Sequence, residues 1–126
     1  MGNGLLLFLR ARLDEDEFIA RAAGGPSGRY VIWDVDPWYD GSGDRCDLRV
    51  RGSGVLSGPT GMAAAVVEHV ARHDPVRVLR EVRAKRAILE LIEQHGTGVV
   101  PRGESILRQL ALPYTDHPDF RRDWQG

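Results

Sequence analysis

Asp74-Pro75 constrains the fold most, because it joins two helical patterns with almost no chain between them. The stretch reads His69-Val-Ala-Arg-His-Asp-Pro75. Proline lacks an N–H and fixes its own φ, so it suits a first helical position, while the residue before it is pushed out of helical geometry. One helix must stop near His73 and another must start at Pro75 with Asp74 as its cap. The two meet at a sharp corner and cannot form one rod. The first is expected from Met62 to His73, capped by Thr60. The second should run to His95, where Gly96 stops it. Val78, Leu79, Val82, Ile88, Leu89 and Ile92 make its apolar stripe.

Before the corner, Leu5, Leu6, Leu9 and Leu13 recur at helical spacing, and the pattern carries on through Ile19, Ala20 and Ala23. A helix over Leu5–Ala23 follows, ended by Gly24-Gly25-Pro26. Its acidic run Asp14–Glu17 reads as a solvated face that offers partners to Arg10, Arg12 and Arg21. Arg29–Asp36 is rich in aromatic and β-branched types and reads as a strand. Arg45–Arg51 alternates, with Cys46, Leu48 and Val50 on one face and charged residues on the other. Together they make a hairpin with one buried face. Two strands alone are marginal, so a third is sought in Gly54–Leu56 within the connector Gly52–Gly61. After a Gly/Pro linker, a short helix covers Glu104–Ala111 and Pro113 ends it. Asp116-His117-Pro118 caps a final turn with Phe120 and Trp124. The expectation is an α+β fold over residues 1–126 as a single domain. Four to five helices pack on one small antiparallel hairpin.

Hydrophobic content of 42% and charged content of 28% are ordinary for a globular chain, so no disordered or fibrous class applies. A formal net charge of −1 supplies no global field toward nucleic acid or membrane. The apolar run Leu5–Leu9 is too short to span a bilayer and lacks signal-peptide flanks. A lone cysteine, Cys46, cannot form an internal disulfide, which favours a reducing compartment. Cytoplasmic location is the expectation, with no membrane partner.

His69 and His73 lie four residues apart and share one side of a helix. Such a pair can grip one ion such as zinc, with Asp74, Asp116, His117 or Cys46 completing the shell. The general-base glutamate of a metalloprotease helix is missing, since Val70 follows His69. The preferred reading is structural: His73 closes one helix and Asp74 caps the next. His69 then hydrogen-bonds inside a corner packed on the C-terminal Asp-His-Pro turn. No glycine loop fit for phosphate and no nucleophile elbow occurs, so no catalytic or cofactor-binding residue is assigned. Cys46 on an apolar strand face reads as an inert thiol. Asp34 and Asp36 read as the wet face of the hairpin. Trp38 and Tyr39, beside a Gly-rich turn, are the candidate interaction residues, with Trp38 expected to be exposed and Trp33 to be core. Arg77, Arg80 and Arg83 could lie against phosphates, although Arg77–Glu81 and Arg86–Glu90 pairing within the helix is the plainer account.

Four segments occur together in order: Phe8-Leu-Arg-Ala-Arg-Leu-Asp-Glu-Asp-Glu17, His69–Pro75, Arg80-Glu-Val-Arg-Ala-Lys-Arg-Ala-Ile-Leu89, and Leu107-Arg-Gln-Leu-Ala-Leu-Pro-Tyr-Thr-Asp-His-Pro-Asp-Phe120 with Trp124 beyond. In these the chain resembles a family of small actinobacterial and actinophage proteins known only as a domain of unknown function. The resemblance implies a mobile-element or accessory setting and no known activity. Longer members of that family carry a Cys-rich insert before the Leu-Arg-x-Leu-Ala segment. Here Thr97–Gly103 fills that place without a cysteine, so their zinc role does not carry over. The expected function is a non-enzymatic interaction or regulatory module that binds another protein or itself. A small metal-binding protein or metal-dependent hydrolase is the alternative, and a DNA-associated accessory factor comes third.

Overall fold

Alternation along Arg45–Val50 organises the sheet, since it turns Cys46, Leu48 and Val50 inward and leaves their neighbours in contact with water. A computed structural model describes residues 2–25, 28, 31–38, 43–57, 61–99 and 102–125. Strand β2 (Arg45–Val50) pairs antiparallel with β1 (Trp33–Pro37) on one side and β3 (Met62–Ala63) on the other. The expected hairpin is therefore the larger part of a three-stranded sheet.

The third strand is not the expected segment. Gly54–Leu56 lies along the same edge of β2 but contributes only an isolated bridge between Val55 and Arg49. Gly54 O and Leu56 N still bond to Val50 N and Leu48 O, at 3.0 and 2.7 Å, so this stretch is tied to the sheet and is no free connector. Met62–Ala63, expected as the opening of a helix, completes the ladder instead. Helix α2 then starts at Ala64 and ends at Arg72, without a side-chain cap. Thr60 lies outside the described residues, as do Arg29 and Tyr30 of the expected first strand.

The remaining helices are α1 (Gly2–Ala23), α3 (Pro75–Val99) and α4 (Gly103–Ala111), followed by short 3-10 turns over Leu112–Tyr114 and Arg122–Trp124. The α+β class stands. Helix α3 runs three residues past Gly96, through Thr97 and Gly98 to Val99, although each glycine costs about 1 kcal/mol in a helix. Its stripe is correct at Val82, Leu89 and Ile92, which are buried, and wrong at Ile88, which is exposed. Among the described residues, no helix is long and apolar enough to cross a membrane.

The chain divides into two compact units, one of residues 1–16 and 81–126 and one of residues 17–80. The second unit holds the sheet and α2, with a core of Cys46, Leu48, Val67 and Ala71 against which Trp33, Val35 and Met62 pack. In the first unit Leu5, Phe8, Leu9, Leu89, Ile92, Leu107, Ala111 and Trp124 are buried. Its helices are also cross-linked by charge: Arg10 pairs with Glu93, and Arg86 with Asp14 at 2.6 Å.

Candidate functional site

In the sheet-bearing unit, the His-Asp-Pro corner is a joint between β1 and the start of α3. Helix N-termini leave several N–H groups without an intrahelical partner, and here the first three helical residues each have an account. Pro75 brings no N–H. Val76 N donates to Val31 O at 3.0 Å, and Arg77 N donates to Asp74 Oδ1 at 3.0 Å. Asp74 Oδ2 accepts from Trp33 N at 3.1 Å. A buried carboxylate thus caps the helix and anchors the strand at once.

The two histidines stand outside this joint. Both are exposed, with ring centroids 4.5 Å apart. His73 Nδ1 lies 2.7 Å from His69 O, closing the last turn of α2, and Arg77 Nη1 covers the free Arg72 carbonyl at 3.2 Å. His73 closes its helix as expected. His69 does not hydrogen-bond within a packed corner, because α2 turns its buried face, Val67 and Ala71, toward the sheet and leaves His69 in solvent. Among the described residues, no group of three or more His, Cys, Asp or Glu side chains could hold a metal ion together.

Asp34 and Asp36 do not pair with each other. Each takes an arginine diagonally across the β1–β2 ladder: Asp34 a two-bond fork from Arg51 at 2.7 and 3.0 Å, Asp36 a bond from Arg49 Nε at 3.0 Å. The Arg51 hydrogen bonds hold the Asp34 carboxyl below its ordinary value. Cys46 is buried in the sheet face, as expected. Trp33 packs on the core. Trp38 is half-buried, where an exposed ring was expected. Gly61 explains this: at φ +67 it carries no side chain, and a Cβ there would fall 2.6 Å from Trp38 Cζ2. The ring lies over backbone that only glycine leaves open. Tyr39 lies outside the described residues.

The other unit contains a constellation that sequence reading missed. Phe8, Arg12 and Asp16 recur every four residues and share one face of α1. The C-terminal Tyr114–Trp124 segment closes over that face. Phe8 meets Tyr114, His117, Phe120 and Trp124 at centroid distances of 5.1 to 6.3 Å. The Arg12 guanidinium lies 5.0 Å above the Phe8 ring, and the residue is only 7% exposed. Its Nη2 donates to Glu15 at 2.9 Å and its Nη1 to His117 Nδ1 at 2.8 Å, while the buried Nε has no partner among the described residues. His117 Nδ1 also accepts from Asp119 N at 3.0 Å. Two donors on one nitrogen require the ring proton on Nε2. Tyr114 Oη donates to Asp16 at 2.5 Å, and burial first, then this bond, raise the phenol above its ordinary value. His117, a candidate metal ligand by sequence, thus has its Nδ1 engaged in this clasp. The available signal was the pair of motifs Phe8–Glu17 and Leu107–Phe120, which are the two partners of the clasp.

A family model described as Family of unknown function (DUF6221) matches residues 3–126. The chain belongs to that family. No curated protein matches the chain, and no solved structure does.

Unit 17–80 also carries an apolar groove of about 440 Å³, lined by Phe18, Arg21, Ala22, Val31 and Leu79 among others. Phe18 stands at its rim 76% exposed, with Ile19 beside it at 64%.

Proposed function

We propose that this protein is a non-enzymatic interaction module that binds another protein through the Phe18 groove. The exposure of Phe18 carries the reading. An aromatic ring left in water beside an apolar groove is costly unless a partner covers it, and clefts of this kind take apolar anchors from partners. Two further features support it. His117, Tyr114 and Asp74, residue types suited to proton transfer, are engaged in the internal bonds described above. Arg21 at the groove is paired with Glu17 at 3.0 Å, which sets a charged rim next to an apolar floor. A mobile-element or accessory setting, implied by the resemblance, is compatible with such a module.

The test is capture. The purified chain and Phe18→Ser are compared as baits in host extract, alongside their melting curves. Because Phe18 is exposed, the variant should melt like the parent and lose captured partners. Equal capture by both baits would remove the groove from the proposal.

One observation favours a second reading: the His69 and His73 rings stand close and accessible to an incoming ion. It ranks second because their shell has no third protein donor among the described residues. DNA contact through Arg77, Arg80 and Arg83 ranks third, since Arg77 is partly engaged with the Arg72 carbonyl.

A further inference from the structure

Helix α3 presents an outward face that the first unit does not cover. Ala84, Ala87, Ile88 and Leu91 follow one another at the three- and four-residue spacing of a helix seam, and all are exposed, Leu91 at 55% and Ile88 at 36%. Alanines in such a seam let a second helix approach closely, and the leucine and isoleucine supply apolar surface to bury. Along one edge of the seam run Arg83 and Glu90, both exposed and seven residues apart. Other charges of the helix are engaged elsewhere within the unit: Arg86 with Asp14, and Glu93 with Arg10.

We propose that α3 pairs antiparallel with α3 of a second copy of the chain. Charge selects this occupant. A two-fold axis perpendicular to the helix, passing between residues 83 and 90, lays each edge of the seam on the same edge of the other copy, running in reverse. Arg83 then faces Glu90 of the partner subunit, and Glu90 faces the partner subunit's Arg83. One edge carries both signs, so self-pairing satisfies it twice and closes the interface at two copies. A parallel pairing offers no such match, because it sets Arg83 beside apolar Ile88. This surface is separate from the Phe18 groove, and neither proposal depends on the other.

Charge reversal supplies the test. Sedimentation equilibrium of the whole chain, from low to high micromolar concentration, should show a monomer–dimer equilibrium. Arg83→Glu or Glu90→Arg alone makes both contacts repulsive and should raise the dissociation constant about tenfold or more. Mixing the two variants restores attraction at both contacts, so a heterodimer should form at parental concentration. Leu91→Asp should leave monomer. Since these side chains are exposed, all variants should keep the parental circular-dichroism melt at concentrations where the parent is monomeric. A parent that stays monomeric throughout overturns the proposal, and so does a dimer indifferent to both reversals. A mixture of variants that fails to associate overturns the antiparallel geometry and with it the proposal.

Discussion

Asp74 divides its two carboxylate oxygens between two backbone donors, Arg77 N and Trp33 N. This changes what its substitution should do. From the sequence it is one cap, worth on the order of 1 kcal/mol and largely replaceable by asparagine. In the structure Asp74→Ala also takes an acceptor from the part-buried Trp33 N–H, and a donor that loses its acceptor costs about 1–3 kcal/mol more. Denaturant unfolding should therefore show a loss of about 2–4 kcal/mol for Asp74→Ala. Asparagine has one oxygen and one NH2, so it can serve the helix or the strand but not both, and should recover about half of that loss. Full recovery by asparagine would show that the Trp33 contact contributes nothing. The capping role could be read from Asp-Pro alone. The strand contact could not, because no local pattern ties residue 33 to residue 74.

At the scale of elements, the clasp between α1 and the C-terminal turns makes a prediction about alkali. The Tyr114 phenol is raised above its ordinary value of 10.0, by burial first and by its bond to Asp16 second. A group whose folded value is raised contributes stability that is fully present below its unfolded value and lost as pH climbs toward the folded one. Stability should fall from about pH 10 upward. Tyr114→Phe removes that phenol, so its melting temperature should decline less steeply across the same range, from a lower start at pH 8. Parallel slopes for parent and variant would detach Tyr114 from the alkaline loss. The elements themselves were legible where periodicity was long. Strand β2 followed from its alternating residues, α1 from apolar spacing, and α4 from the Gly/Pro linker before it and Pro113 after it. Strand β3 is two residues long, too short for any period to register, and it exists because the edge of β2 offers it partners. The end of α3 was misplaced by three residues, since Thr97, Gly98 and Val99 extend the helix past the expected stop at Gly96.

For the whole molecule, three of the four motifs that carry the family resemblance contribute to internal structure, while the Arg80–Leu89 motif leaves Arg83, Ala84, Ala87 and Ile88 exposed. The Phe8 and Leu107 motifs meet in the Arg12 clasp, and the His69–Pro75 motif makes the joint between β1 and α3. The sequence offered the histidines as an alternative metal pair, behind a structural reading, because two imidazoles one turn apart can grip an ion. What it could not show is which face of α2 the sheet would take. The face carrying Val67 and Ala71 is buried, and His69 and His73 are left in solvent, where two imidazoles alone bind an ion weakly. Elemental analysis of the native protein should accordingly find zinc well below one ion per chain, and a chelator should leave the melting temperature unchanged. Metal that was part of the fold would give the reverse, since its binding energy would be folding energy. The informative variant is His69→Ala with His73→Ala. A full equivalent of zinc that disappears in this double variant, with a matching loss of thermal stability, would move the metal reading ahead of the Phe18 groove.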